Sequence, residues 1–397
     1  MQLPRQTGFS SAEVLACGAP QTSKGSEVAP ARVMFLYWGR RGSLPRFSME
    51  LARVALSDQA ISASISISRQ NMSFRSFEGF GSALFPVTTF ETRWGAFFNL
   101  WRLPKVIAAL KARLRADGTT AVIDLMPHIW SPIIAPAIKS VGVRYVPIIH
   151  DADPHPGDRT TLVKRWIDRS IDSADLVITL SGAVAGRLEA LGRINRSRVA
   201  TLFHPDLNYA PFAPPRPPRS GEPMRLLFLG RILAYKGLPL FLDAVEILRE
   251  AGLPVEVGVY GEGPLGSSAA RLAALNAEVV NRWLSEEEVA QILPRYHAVI
   301  LSHTEASQSG VAAAALGAGI PVVATPVGGL IEQISDGRTG VVALRADGNA
   351  LAEAIEDLLL NPTLYEKICE NISITREERS MARFARECAR NAVDTSR

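Results

Sequence analysis

The chain has 397 residues, 47% of them hydrophobic and 21% charged. That balance excludes a disordered or fibrous protein and leaves room for two domains, or three, at about 100–200 residues each. No apolar run reaches the roughly 20 residues that a bilayer span needs. The opening residues lack the basic-then-apolar order of a signal peptide, and Cys17, Cys369 and Cys388 stand at no metal-binding spacing. Together these predict a cytoplasmic protein with reduced thiols and no metal site.

The net charge of +4 conceals an asymmetry. Residues 1–220 hold 27 Lys and Arg against 16 Asp and Glu, whereas the remainder hold 16 against 23. A basic first half suits an anionic partner: a membrane surface, a phosphorylated substrate or nucleic acid.

In chain order, residues 1–30 mix small and polar residues without periodicity and predict a disordered tail. Arg32–Trp38 is an apolar run of strand length, followed by Gly39-Arg40-Arg41-Gly42-Ser43 and a helical pattern over Leu44–Leu56. Strand, glycine loop and helix open a nucleotide-binding α/β domain, although no G-x-G-x-x-G fingerprint is present. Ile61–Ile67 (ISASISI) alternates strictly and predicts a half-buried strand. Residues 92–115 combine Trp94, Phe97, Phe98 and Trp101 with Arg93, Arg102, Lys105, Lys111, Arg113 and Arg115. This stretch fits two descriptions, an amphipathic segment lying on an anionic membrane or a core-facing helix with a solvated basic face.

Further strands are predicted at Ala121–Leu125, Arg144–Ile149, Leu176–Leu180 and Val199–Phe203, alternating with helices, as a parallel sheet requires. His150-Asp151 and the loop 152–159, which holds His155, follow the second of these. The segment 211–223 has six prolines and predicts a stiff linker. Beyond it the pattern restarts, with strands at Leu226–Leu229, Val255–Tyr260, Ala298–Leu301, Pro321–Ala324 and Gly340–Leu344. A helix begins at Ser285 with three glutamates in its first turn. Helices fill 346–372, and a final charged helix spans 376–394. The domains predicted are 31–210 and 224–374, with 375–397 closing the chain.

In a doubly wound fold, ligands bind outside the carboxyl ends of the strands. The second domain places Arg231, Lys236, Gly261, Glu262, Glu305, Ser307-Gln308-Ser309-Gly310 and Gly328-Gly329 at those ends. Two cations, a helix start and glycines provide what a diphosphate needs: neutralising charge and close backbone approach. A nearby carboxylate such as Glu305 can accept hydrogen bonds from sugar hydroxyls.

GRILAYKG (230–237), YGEGP (260–264), NRWLSEEEV (281–289), TEASQSG (304–310) and PVVATPVGGLIEQISDGRTG (321–340) resemble the second domain of family 4 glycosyltransferases of the GT-B fold, in family order and spacing. The resemblance implies two facing Rossmann-like domains and a UDP- or GDP-linked sugar donor held mainly by the second. It further implies retention of anomeric configuration, no required metal and a last helix crossing back to the first domain. By position, Arg231 and Lys236 would neutralise the leaving diphosphate, Glu305 would contact the donor sugar, Gly42 would face the diphosphate and His150 would stand beside the sugar. Arg40, Arg41, Asp151 and His155 lie on the acceptor side. The family's second glutamate is missing: Ala313, or Ala314 counted back from Gly319, stands in its place, and SQSG (307–310) would take over part of its role.

The function expected is sugar transfer to a lipid-linked or oligosaccharide acceptor in bacterial exopolysaccharide, capsule or O-antigen synthesis, at the inner face of the membrane. A catalytically silent GT-B binding subunit and a GT-B nucleotide-sugar epimerase are the alternatives. Nucleic acid is the least suited partner, because the basic half has no aromatic-interleaved motif.

Overall fold

A computed structural model of the chain describes residues 30–91, 95, 98–153, 161–219 and 221–395. The tail, His155, and Arg93, Trp94 and Phe97 of the aromatic stretch lie outside the described residues.

The first domain runs β1 (Ala31–Tyr37), α1 (Leu44–Ser57), β2 (Ile61–Ser68), the short α2 (Phe74–Phe77), β3 (Leu84–Val87), α3 (Leu103–Ala116), β4 (Ala121–Asp124), α4 (Ser131–Lys139), β5 (Arg144–Ile149), α5 (Thr161–Ser173), β6 (Val177–Thr179), α6 (Gly182–Ala190) and β7 (Val199–Thr201). Its strands are all parallel, in the order β3-β2-β1-β4-β5-β6-β7. The second domain runs β8 (Met224–Leu229), α7 (Leu238–Glu250), β9 (Val255–Tyr260), α8 (Ser268–Ala274), β10 (Glu278–Val280), α9 (Glu286–Ile292), β11 (Ala298–Leu301), α10 (Gly310–Ala318), β12 (Val322–Ala324), α11 (Leu330–Gln333), β13 (Gly340–Val342), α12 (Gly348–Leu360) and α13 (Pro362–Ile374), and α14 (Met381–Val393) ends the chain. Its sheet repeats the plan as β10-β9-β8-β11-β12-β13. Each order reverses beside the domain's first strand, which opens a crevice at the carboxyl ends.

Apolar residues explain the layers. Val33, Phe35 and Tyr37 of β1 face one cluster with Phe47, Leu51 and Ala55 of α1. Met34 and Leu36 face a second cluster with Leu110 and Leu114 of α3 and Ile134 and Ile138 of α4. A strand covered on both faces cannot keep a polar side, and β2 departs accordingly from the half-buried strand its alternation predicts. Ser64, Ser66 and Ser68 are buried. Ser66 Oγ accepts from Trp38 Nε1 at 2.9 Å, and Ser68 Oγ bonds Thr89 Oγ1 at 2.6 Å. Such partners make the burial of the Ser66 and Ser68 hydroxyls tolerable, whereas Ser64 Oγ is buried with no hydrogen-bond partner among the described residues.

The basic stretch resolves into parts. α3 buries Leu103, Leu110 and Leu114, as a core-facing helix does. The turn before it leaves Phe98 and Trp101 about two-thirds exposed, at 68% and 66%. In the second domain, Ser285 and Glu288 form a reciprocal capping box: Glu288 N donates to Ser285 Oγ at 3.2 Å and Ser285 N to Glu288 Oε2 at 2.9 Å. The 211–223 segment lies along the second domain, with Ala213 N donating to Ala318 O.

The helix α14 packs on the first domain although it follows the second. Met381, Phe384, Ala385, Cys388, Ala389 and Ala392 join the cluster of α1 and β1. Phe384 meets Phe47 and Phe203 edge-on, at 5.5 and 5.9 Å between centroids. Phe384→Ala is therefore expected to cost about 3–5 kcal/mol through the cavity it leaves. Denaturant unfolding followed by tryptophan fluorescence checks this, and an unchanged midpoint would show that α14 docks without this anchor.

Candidate functional site

The two sheets point their carboxyl ends at a shared cleft of about 870 Å³. From the first domain come Arg40, Arg41, Gly42 and Ser43 after β1, Met126 after β4, His150 and Asp151 after β5, and His204 after β7. From the second come Gly230, Arg231, Tyr235 and Lys236 after β8, Gly261 and Glu262 after β9, residues 282–287 leading into α9, and Gln308, Gly310, Val311 and Ala314 around the start of α10.

Lys236 is the best-defined cation of the site. Its ammonium donates to His303 Nε2 at 2.8 Å, so this His303 nitrogen carries no proton. Burial, with Arg231 adding repulsion and Asp151 opposing it from across the cleft, lowers the Lys236 amine to about 8. The amine is therefore mostly charged at neutral pH and loses its charge in mildly alkaline solution. Arg231 is exposed on the same wall.

His150 has a defined tautomer. Its Nε2 lies 2.8 Å from Leu125 O, which can only accept, so Nε2 carries the proton. Nδ1 is then an acceptor, 3.5 Å from Gln308 Nε2 on the other domain. Burial lowers the pKa of His150, which keeps the ring neutral and its Nδ1 an acceptor. Arg40 is tied to the first domain through Gln70 O at 3.3 Å and through Glu91 O. Arg46 of α1 bridges to Glu286 at 3.3 Å and to Glu50 at 2.5 Å, joining the domains beside the cleft.

Not every candidate reaches the cleft. Glu305 is exposed and outside the lining. Ser309 is buried because its Oγ caps α10, accepting from Ala312 N at 3.3 Å. Ser307 offers its carbonyl to Ser181 Oγ at 2.8 Å. Gly328 and Gly329 stand behind the 305–309 loop. A Cβ at either would come within 2 Å of a carbonyl of that loop, Ala306 O at 1.8 Å or Ser307 O at 1.9 Å. Gly261 does line the cleft, but its glycine is also demanded sterically, since at φ +146° a Cβ would fall 1.8 Å from Gly230 O. Of the two alanines at which the resemblance would place a glutamate, Ala314 lines the cleft and Ala313 packs in the first-domain cluster.

Sequence reasoning missed His303, His204, Tyr209, Trp283 and Glu286. A signal existed for His303, which sits just past a buried strand, the same placement that drew attention to His150. Trp283 and Glu286 belong to a stretch read as a helix start and as one motif of the resemblance, with no site role assigned to either.

Residues 223–361 match the family Glycosyl transferases group 1. The chain is 29% identical over 299 residues to a glycogen synthase of Mycobacterium tuberculosis, covering 70% of this chain and 71% of that one. Among solved structures, it resembles HepE of Anabaena in complex with UDP, with a TM-score of 0.67 at 15% identity over 91% of this chain and 99% of that one. It also resembles the lipopolysaccharide outer core galactosyltransferase WaaB, with a TM-score of 0.63 at 15% identity over 90% and 99%.

One prediction follows from the tautomer. The His150 ring should titrate below the ordinary imidazole value and be neutral at pH 7–8, with its proton on Nε2, in nitrogen-15 spectra of the imidazole. Titration near the ordinary 6.5 would remove the acceptor role given to Nδ1. By fold the protein is thus a two-domain GT-B chain, and its second domain matches the model of the family Glycosyl transferases group 1.

Proposed function

We propose that the protein transfers a sugar from a UDP- or GDP-linked donor to a saccharide or lipid-linked acceptor, with retention of configuration and without a required metal. The observation that carries this reading is the convergence of Lys236, Arg231 and the start of α10 on one wall of the cleft, within the group 1 domain. When the bond from the sugar to the diphosphate breaks, negative charge builds on the departing oxygens. An ammonium and a guanidinium already in place stabilise that charge without reorganising, and the free N–H groups at the start of α10 add to it. Gln308 and the neutral His150 offer hydrogen-bonding groups to sugar hydroxyls. Arg40, Arg41 and Asp151 face them from the first domain, on the side left for the acceptor. The HepE complexes with UDP and with UDP-glucose support a nucleotide-sugar donor on this fold.

The acceptor setting rests on the first domain. Phe98, Trp101, Ile129 and Ile133 are exposed there, near the basic α3, and no described helix is long and apolar enough to cross a membrane. This surface suits reversible attachment to the inner face of an anionic membrane, where bacterial exopolysaccharide, capsule or O-antigen precursors would be met. A silent binding subunit is the second reading, favoured by Ala314 facing the cleft where the family carries a carboxylate.

A thermal-shift screen against UDP, GDP, ADP and their sugars tests the donor, because a ligand that binds only the folded state raises its apparent stability. A shift with one nucleotide family is expected, and no shift with any would overturn the reading. Binding without transfer or slow donor hydrolysis would select the silent subunit, and interconversion of the free sugar nucleotide would select an epimerase. Lys236→Ala should lower kcat/KM by about 10²–10³-fold. In the wild type kcat/KM should fall as pH rises through about 8, where Lys236 loses its charge. A wild-type rate in the variant, or a flat alkaline limb, would remove Lys236 from the chemistry. Flotation with anionic liposomes should weaken with salt and with Trp101→Ser, and equal binding to neutral vesicles would refute electrostatic attachment.

A further inference from the structure

The loop carrying Gln308 is held from both domains. Within the second domain, the Gln333 side chain brackets Ser309: its Oε1 accepts from Ser309 N at 2.9 Å and its Nε2 donates to Ser309 O at 3.0 Å. Gly329 N donates to Ala306 O at 3.0 Å. From the first domain, Ser181 Oγ donates to Ser307 O at 2.8 Å, and His150 Nδ1 lies 3.5 Å from Gln308 Nε2.

Glu332, the neighbour of Gln333 on α11, reaches the other way. Its Oε2 accepts from Gly182 N at 2.6 Å and its Oε1 from Ala183 N at 2.8 Å. These are the first two amides of α6, which have no partner inside their own helix. Ser181 caps the same helix, its Oγ accepting from Val184 N at 3.3 Å. The positive end of a first-domain helix is therefore neutralised by a carboxylate of the second domain. The seam is close as well as polar. A Cβ on Gly182 would lie 3.3 Å from Glu332 Oε2, and one on Gly329 would lie 3.0 Å from Ser181 Cβ.

We infer that Glu332 is a closure latch, a positioning residue that couples the meeting of the two domains to the shape of the loop bearing Gln308. Its two bonds to α6 form only when this edge of the cleft is shut. Once formed they fix α11, and α11 through Gln333 fixes Ser309 and the side chain before it. The sugar-binding wall is then set in its working geometry only in the closed molecule. The link to catalysis rests on the sugar-transfer reading above, whereas the mechanical link does not. Charge-assisted hydrogen bonds of this kind are stronger than neutral ones, so two of them suffice to bias a closing equilibrium.

The test compares the full chain with Glu332→Ala and Glu332→Gln by hydrogen-exchange mass spectrometry, with steady-state kinetics alongside. The expected result is faster exchange in two separate segments, 181–190 and 302–316, and a kcat lowered by about 10–100-fold. The affinity for the nucleotide alone, without its sugar, should stay within about twofold, because removing closure does not remove the diphosphate contacts. Glu332→Gln keeps one acceptor oxygen and should give the same pattern at smaller amplitude, and it serves if the alanine variant does not fold. Faster exchange confined to 181–190, with 302–316 and kcat unchanged, would reduce Glu332 to a helix cap and overturn the latch. If the wild type binds no nucleotide, the sugar-transfer reading falls, and the comparison of the two segments still decides the latch.

Discussion

The placement of the two sheets depends on one buried ion pair. The chain crosses between the domains near residues 204–210 and again near 375–380, and Arg379 ties these crossings together. Its Nε lies 3.1 Å from Asp206 Oδ2, its carbonyl accepts from Asp206 N at 2.9 Å, and its other nitrogens hold Ile372 O and Thr375 O. Burial raises the Asp206 carboxyl to about 7, against the pull of Arg379 and Arg376. Removing one partner of such a pair strands a buried charge, at a cost of about 3–5 kcal/mol. Next to it, Glu50 accepts from Asn208 N at 3.0 Å and Asn208 Nδ2 at 2.9 Å while holding Arg46, which reaches Glu286 across the cleft. The crossing, the first helix and the mouth of the cleft thus form one polar network.

Contacts across the cleft differ in kind from those at the crossing. The crossing is buried and paired, so it behaves as a fixed joint. The seam at Glu332 and the bond between Gln308 and His150 are made by groups that water can also serve, and they are far apart in sequence. A joint of the first kind with contacts of the second kind is what allows two rigid domains to close on a ligand and reopen. The charge asymmetry agrees with this division. The basic first half meets a second half in excess of acid, and Arg46–Glu286 is one point where the two signs meet beside the cleft.

Most of the architecture was legible in the sequence because most strands are apolar runs bounded by turn residues, whereas β3 and β10 went unpredicted, being short edge strands that are largely unburied. The strand-end residues Arg231, Lys236, His150, Gly261 and Gln308 were legible for the same reason, since the fold alone places strand ends at the cleft. What the sequence could not convey is which way a residue within a loop turns. Glu305 and Gln308 lie three residues apart, yet one faces solvent and the other faces His150. Ser181, Gln333 and Gly329 clamp the loop between them, and two of those are on a different element and the third on a different domain. The pairing of His303 with Lys236 spans 67 residues, beyond any local pattern. The buried serines of β2 were misread because alternation reports polarity and not coverage, and this sheet is covered on both faces.

The alanines of α10 show how packing and chemistry compete at one helix. Residues 312–318 are all buried, and the helix is pressed against the crossing segment, where Leu207 N donates to Ala313 O and a Cβ on Gly317 would sit 2.3 Å from Leu207 O. A carboxylate at 313 would be driven into the apolar cluster of the first domain, where burying an unpaired charge is prohibitive. Ala314 borders the cleft but is itself buried in the second-domain cluster, so a larger acidic side chain there would have to displace its neighbours. With alanine at 314, the second-domain wall sets Lys236, Arg231 and Arg282 against Glu262, Glu286 and Glu287, with no further carboxylate from α10. The cleft of this chain is consequently more electropositive on its second-domain side than one with a glutamate at 314. Under the sugar-transfer proposal, that change would favour a diphosphate and leave the neutral parts of the ligand to uncharged groups such as Gln308 and the His150 ring.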